Sequence, residues 1–212
     1  SDLSKDLSGQ TFFVGGGRRN RTGSSLVTSG VSDVGLDVKY GLKAGLALDV
    51  TVNTDFAQAE VDEQQVNLTR FQLFFPEKRD FFLQDASAFE FGGRPFEENS
   101  NGMPFFSRNI GLVNGSVIDL DVGAKVSGSV GGVRLGALSV RTGASTSDEA
   151  QTLSVARASA TVMGESRVGG IVTLGDPDGS SDNRVAGLDF GYRDSRFRPG
   201  KRLEGTLYAL RS

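Results

Sequence analysis

IDLDVGAKVSGSV, residues 118–130, repeats with a period of two. Ile118, Leu120, Val122, Ala124, Val126 and Val130 are expected on one side. Asp119, Asp121, Gly123, Lys125, Ser127 and Ser129 are expected on the other. That is the alternation of a β-strand with one apolar and one polar face. The run is long beside the ~5–6 residues usual in soluble strands, and it suits the ~9–11 tilted residues that cross a bilayer. Its polar side mixes aspartate and lysine with glycine and serine, as a water-filled lumen allows.

The same pattern continues in both directions. Gly131 and Gly132 form a two-residue hairpin turn, and residues 133–141 return from it. Residues 153–162, 168–174, 184–193 and 203–210 read as further strands, the third setting Ala186, Leu188, Phe190 and Tyr192 against Gly187, Asp189 and Gly191. Upstream, Leu36, Val38, Tyr40 and Leu42 alternate with Asp37, Lys39 and Gly41. After a turn at Lys43 and Ala44, Leu46, Leu48, Val50 and Val52 alternate with Ala47, Asp49, Thr51 and Asn53. GGGRRNRTGSS, residues 15–25, lacks the lysine-serine/threonine pair of a phosphate loop and is expected to be loop with solvated arginines. Nine to ten strands in turn-separated succession predict one all-β domain over residues 1–212.

Residues 53–111 interrupt the succession after the third strand. Ten of the fifteen phenylalanines fall between Phe71 and Phe106, interleaved with Arg70, Glu77, Lys78, Arg79, Asp80 and Arg108. A short helix starting at Asp62 competes with strand, and Pro76 heads one helical turn or more over residues 77–83. This insertion is expected to line or plug the barrel or its mouth. Its rings would pack together and its charges pair with wall residues such as Asp49, Asp55 or Lys125, because isolated buried charge is costly.

Composition removes several function classes. The sequence has no cysteine and no histidine, which excludes disulfides, thiolate or histidine nucleophilic machinery and the usual zinc sites. A net charge of −3 without a basic stripe gives no footprint for nucleic acid. No apolar run reaches the ~20 residues of a spanning helix, and the opening SDLSKDLSG carries no leader pattern. The turn DPDGSSDN, residues 176–183, has Gly187 where an EF-hand needs glutamate, so it is expected to be a solvated hairpin loop.

VNTDFAQAEVDEQQVNLTRFQLFFPEKRDFFLQDASAFEFG (residues 52–92) and PFFSRNIGL (residues 104–112), with the flanking GLDVKYGL, LALDVTVN and DLDVGAKVSGSVG, resemble an uncharacterised family of bacterial outer-membrane proteins. Its members carry an N-terminal domain similar to a family-nine carbohydrate-binding module, followed by a C-terminal β-barrel. The resemblance implies the barrel part, an antiparallel up-and-down transmembrane β-barrel in contact with outer-membrane lipid. Family barrels are longer than this sequence and commonly end in an aromatic residue, whereas this one ends Leu210, Arg211, Ser212. The expectation is an excerpt or a reduced barrel, with closure left open.

Aromatic rings beside carboxylates and arginines suit sugars and other polar rings. The candidate ligand-binding or lumen residues are Asp55, Glu60, Asp62, Glu63, Gln64, Arg70, Glu77, Lys78, Arg79 and Arg108. The expected role is an envelope protein that passes or binds a polar solute such as a saccharide, without cofactor, metal or catalysis. Two alternatives stand beside it. One is a soluble β-sandwich carbohydrate-binding module. The other is a glycan hydrolase using two of Glu60, Asp62, Glu63, Glu77 and Asp80.

Overall fold

A computed structural model describes residues 7–22, 25–43, 45–54, 77, 79–92, 102–113, 116–144, 149–176, 182–198 and 200–212. Nine long strands form a single antiparallel sheet. In chain order they are β1 (Leu7–Thr22), β2 (Ser25–Lys43), β3 (Leu46–Thr54), β6 (Leu120–Val130), β7 (Val133–Thr142), β8 (Thr152–Val162), β9 (Ser166–Leu174), β10 (Arg184–Arg198) and β11 (Lys201–Arg211). Each pairs with its predecessor and successor in the list, so the order is a plain meander. The short strands β4 (Leu112–Val113) and β5 (Ser116–Val117) pair only with each other. β1 and β11 are the two edges, and no described residue pairs them with one another, so the sheet is open. It is one sheet, not the two stacked layers of a sandwich. Among the described residues no helix is long and apolar enough to cross a membrane, a finding that does not bear on strands.

The turns behave as their residues dictate. Gly131 and Gly132 both have positive φ, 58° and 81°, as a two-residue hairpin loop of matching twist requires, and Val130 pairs with Val133 across it. The β2–β3 register sets Leu36 opposite Val52, Val38 opposite Val50 and Tyr40 opposite Leu48. The two rims differ. At one, β6–β7 and β8–β9 connect through two and three residues. At the other, β7–β8 and β9–β10 each take nine residues, 143–151 and 175–183, and β3–β6 holds the insertion.

Two expectations are corrected. Residues 15–22 are strand, not loop: β1 stays paired with β2 from Gly15 opposite Ser32 to Thr22 opposite Ser25. Alternate residues exchange backbone hydrogen bonds along that ladder, whatever the side chains, so a polar glycine-rich run continues the strand its partner offers. The other concerns Ile118 and Leu120, which do not share a face with Val122. A register shift between Leu120 and Val122 places Leu120 opposite Thr142 and Val122 opposite Arg141, leaving Asp121 as the extra residue of a bulge. One inserted residue exchanges the faces, so Ile118 and Leu120 are buried while Val122 is exposed.

The insertion lies across one face of the sheet. It contains α1 (Asp80–Leu83), a single turn, followed by 3-10 turns at Ala86–Ala88 and Ser107–Asn109. Phe82, Phe89 and Ile110 pack onto Leu138, Val140, Leu153, Val155 and Ile171, with Phe81, Phe91 and Phe105 at the margin. Burying a phenylalanine of this kind contributes about 1.5–3 kcal/mol. Phe81 lies over Gly123 and Phe89 over Gly136, where an added Cβ would stand 3.1 Å from the ring in each case. Glycine here lets an aromatic face rest on strand backbone. Gln84 reaches Lys39 on β2 and Phe91 reaches Tyr208 on β11. The insertion therefore bridges the covered face from β2 to the edge strand β11.

The opposite face carries the aliphatic side chains. Leu36, Val52, Val122, Val168, Val172, Leu174, Leu188, Leu203 and Leu207 are all exposed. Rows of cross-strand neighbours, such as Leu135, Ala158, Gly170, Leu188 and Ala209, run over this face without a charge.

Candidate functional site

The covered face holds charge at three places. The first is Arg157 on β8 with Asp189 on β10. Nη1 donates to Oδ1 at 2.7 Å and Nη2 to Oδ2 at 2.9 Å, and the two side chains are 2% and 3% exposed. The Gly92 amide of the insertion donates to Asp189 Oδ2 at 3.2 Å, and the Arg157 guanidinium sits 5.4 Å from the Phe91 ring centroid. This bidentate pair joins two wall strands and receives one end of the insertion.

The second is Lys125 on β6, 1% exposed. Its ammonium donates to the carbonyls of Phe81 at 2.6 Å and Gln84 at 2.8 Å, and lies 3.4 Å from Asp49 Oδ2. A lysine pointing from a strand thus satisfies the carbonyls at the end of a one-turn helix, which has none of its own partners to offer. Ser127, one position along that face, donates to Asp85 Oδ2 at 2.8 Å. Lys39 on β2 donates to Gln84 Oε1 at 3.0 Å and lies 3.5 Å from Asp49 Oδ1.

The third lies within the insertion. Glu77 Oε1 accepts from Arg79 Nε at 2.7 Å and from its backbone amide at 3.0 Å; Oε2 accepts from Arg79 Nη2 at 2.7 Å and Ser107 Oγ at 2.8 Å. Arg79 also donates to the carbonyls of Ile110 and Ser107, at 2.7 and 2.6 Å, and stacks 4.2 Å from the Phe82 ring centroid. Burial pushes the Glu77 carboxyl up, but the Arg79 guanidinium, its amide and the Ser107 hydroxyl together hold it below the ordinary 4.5. Arg108 is buried in its 3-10 turn, and burial draws its guanidinium below the usual value. It stays cationic at neutral pH.

A depressed carboxyl stabilises the fold above its ordinary pKa, and that contribution fades as pH falls through 4.5 toward the lower folded value. Glu77→Gln is therefore expected to cost about 1.5–3 kcal/mol of insertion stability at neutral pH. Below the ordinary carboxyl value it should cost progressively less. Amide exchange of residues 79–92 in wild type and variant, compared across that window, checks this. Curves that stay equally far apart at both ends would contradict it.

Three of the ten candidate residues, Glu77, Arg79 and Arg108, are brought together beside Ser107 and Ile110. Asp55, Glu60, Asp62, Glu63, Gln64, Arg70 and Lys78 lie outside the described residues, as do the region around Asp62 and Pro76 and most of the 176–183 turn. The expectation that insertion charges pair with the wall is corrected in part: Glu77 and Arg79 pair with each other. Wall cations instead reach insertion carbonyls, as Lys125 does, or another wall strand, as Arg157 does. Arg157 and Asp189 were not singled out in the sequence. The available signal was Arg157 sharing its parity with Leu153 and Val155, a charge on an apolar stripe.

Between β1–β3 and α1 the covered face retains a polar cavity of about 390 Å³ lined by Asp37, Lys39, Asp49, Asp80, Phe81 and Gln84, among others. Another concavity, about 770 Å³, has different chemistry. It is a shallow trough lined by Ala137, Ala156, Ala158, Leu188 and Ala209, residues of the aliphatic face. Among the described residues no carboxylate group of three or more is placed to hold a metal ion.

Fold and site together define an all-β protein whose meander sheet carries an aromatic and charged insertion on one face and shows aliphatic side chains on the other. Residues 14–122, just over half of the chain, match the family described as Domain of unknown function (DUF5916), and the chain belongs to it. No curated protein and no solved structure is found to be similar.

Proposed function

We propose that this chain forms the wall of a bacterial outer-membrane β-barrel whose interior the insertion narrows, and that it binds or passes a polar solute there. The observation that carries the reading is the division of the sheet's faces. Aliphatic residues from Leu36 on β2 to Leu207 on β11 stand exposed, while Lys125, Arg157 and Asp189 are buried beneath the insertion. A contiguous apolar surface of this extent marks contact with membrane or protein. Outer-membrane barrels alternate apolar-out with polar-in on every strand.

Two further features support it. Every wall strand has at least nine residues, enough to cross hydrocarbon at a tilt. The short-turn and long-loop rims match the periplasmic turns and longer extracellular loops of such barrels. The insertion would then enter from the extracellular side. A saccharide is the solute class that the resemblance implies. Glu77 is engaged with Arg79 and Ser107, which favours a structural use over acid-base chemistry at that residue.

The test is insertion into preformed phosphatidylcholine vesicles. The chain should float with them, resist added protease and migrate differently on cold and boiled denaturing gels. A chain that stays monodisperse in plain buffer and remains at the bottom of the gradient would end the reading.

A further inference from the structure

We infer that the cavity between β1–β3 and α1 is a binding site for a small organic cation, a solute bearing an ammonium or guanidinium group. The inference rests on the reading above that the covered face is a solute path, and it names the class of solute.

Two carboxylates beside the cavity are short of hydrogen-bond donors. Asp37 Oδ1 is buried and accepts no hydrogen bond from a described residue, while Asp49 Oδ2, on a residue 7% exposed, meets Lys125 as an ion pair at 3.4 Å. Both side chains line the cavity. A carboxylate offers about four acceptor positions, and an unfilled one in a buried place costs about 1–3 kcal/mol or more. The nearby lysines leave Asp37 Oδ1 without a donor and hold Asp49 only at ion-pair distance. Lys125 directs protons to the carbonyls of Phe81 and Gln84, and Lys39 directs one to Gln84 Oε1. Their distances to Asp49, 3.4 and 3.5 Å, are those of ion pairs and longer than a good charge-assisted hydrogen bond.

Charge selects among the donors that would fit. Asp37, Asp49 and Asp80 face the cavity with Lys39, and Lys125 stands behind, leaving carboxylates in excess by one. An anion is repelled, and a neutral polyol supplies hydroxyl donors without offsetting the charge. An ammonium or guanidinium supplies both. A bare metal ion is disfavoured, since the described carboxylates do not converge into a coordinating group. The volume of about 390 Å³ suits a compact solute.

The full chain in detergent would be titrated by calorimetry with 1,4-diaminobutane and glucosamine, and separately with glucose, N-acetylglucosamine and calcium chloride. Sub-millimolar binding of the two amines is expected, with the neutral sugars about tenfold weaker or worse. Asp37→Asn keeps the side chain's shape and should weaken the amines about tenfold or more. Asp80→Asn, at an exposed helix start, should weaken them severalfold without touching the fold, and it decides the matter if the first variant does not fold. No heat from either amine, equal affinity for glucose and glucosamine, binding of calcium alone, or amine affinity unchanged in both variants would each overturn the assignment. Vesicle insertion is read separately, so a chain that inserts yet ignores amines sinks this inference and leaves the barrel reading standing.

Discussion

Asp189→Asn is expected to destabilise the protein by about 3–5 kcal/mol, the cost of leaving a buried charge without its partner. The Arg157 guanidinium is then left uncompensated where its side chain is 2% exposed. The Gly92 amide loses its charged acceptor as well, which loosens the insertion at that end. The double change Arg157→Met with Asp189→Leu removes both charges and fills the space with apolar atoms. It should recover most of the loss or exceed wild type, because desolvating the two ions offsets much of their attraction. Urea midpoints for wild type, Arg157→Met, Asp189→Leu and the double variant give the coupling energy. A single variant within about 0.5 kcal/mol of wild type, the range of an ordinary surface change, would show that the pair is not buried as described.

That pair also marks where reading the sequence stops. The strands of the second half, the glycine hairpin at Gly131 and Gly132 and the β2–β3 pairing were legible because each rests on local rules: period-two alternation and positive φ. The aromatic insertion was legible as a unit whose rings pack together, but not as one that sets Phe82 and Phe89 on the wall residues Leu138 and Val155. What escaped depends on neighbours that the local pattern does not name. The bulge at Asp121 follows from how β6 meets β7, and it exchanged the faces of Leu120 and Val122. Residues 15–22 are strand because β2 supplies the partner, not because glycine and arginine favour extension. Arg157 and Asp189 lie 32 residues apart, and only the order β8-β9-β10 brings them together. In the insertion, composition gave the charges but not their pairing. Glu77 and Arg79 are two residues apart, yet the sequence alone did not favour that pair over a wall partner.

Ala158→Arg tests the environment of the aliphatic face, on which both proposals depend. Ala158 is exposed near the middle of β8, opposite Leu135 on one side and Gly170 on the other, with Leu188 and Ala209 continuing the row. No contact is lost by the change, and the small neighbours leave room for the longer side chain, so packing contributes little. What remains is the transfer of a guanidinium to whatever medium touches that face. In hydrocarbon near the midplane the cost is about 2–4 kcal/mol, falling to about 0–1 near the interfaces. In water it would stay within about ±0.5 kcal/mol, as for most surface substitutions. Ala144→Arg, on the exposed β7–β8 connection, is the matched control and should be silent in either medium. Unfolding measured from lipid vesicles is expected to separate the two by about 2 kcal/mol or more. Rim positions on the same face, such as Leu174→Arg, should fall between them because the cost depends on depth. If Ala158→Arg matches the control, the aliphatic face meets water or a protein partner, and the barrel reading fails at its central point.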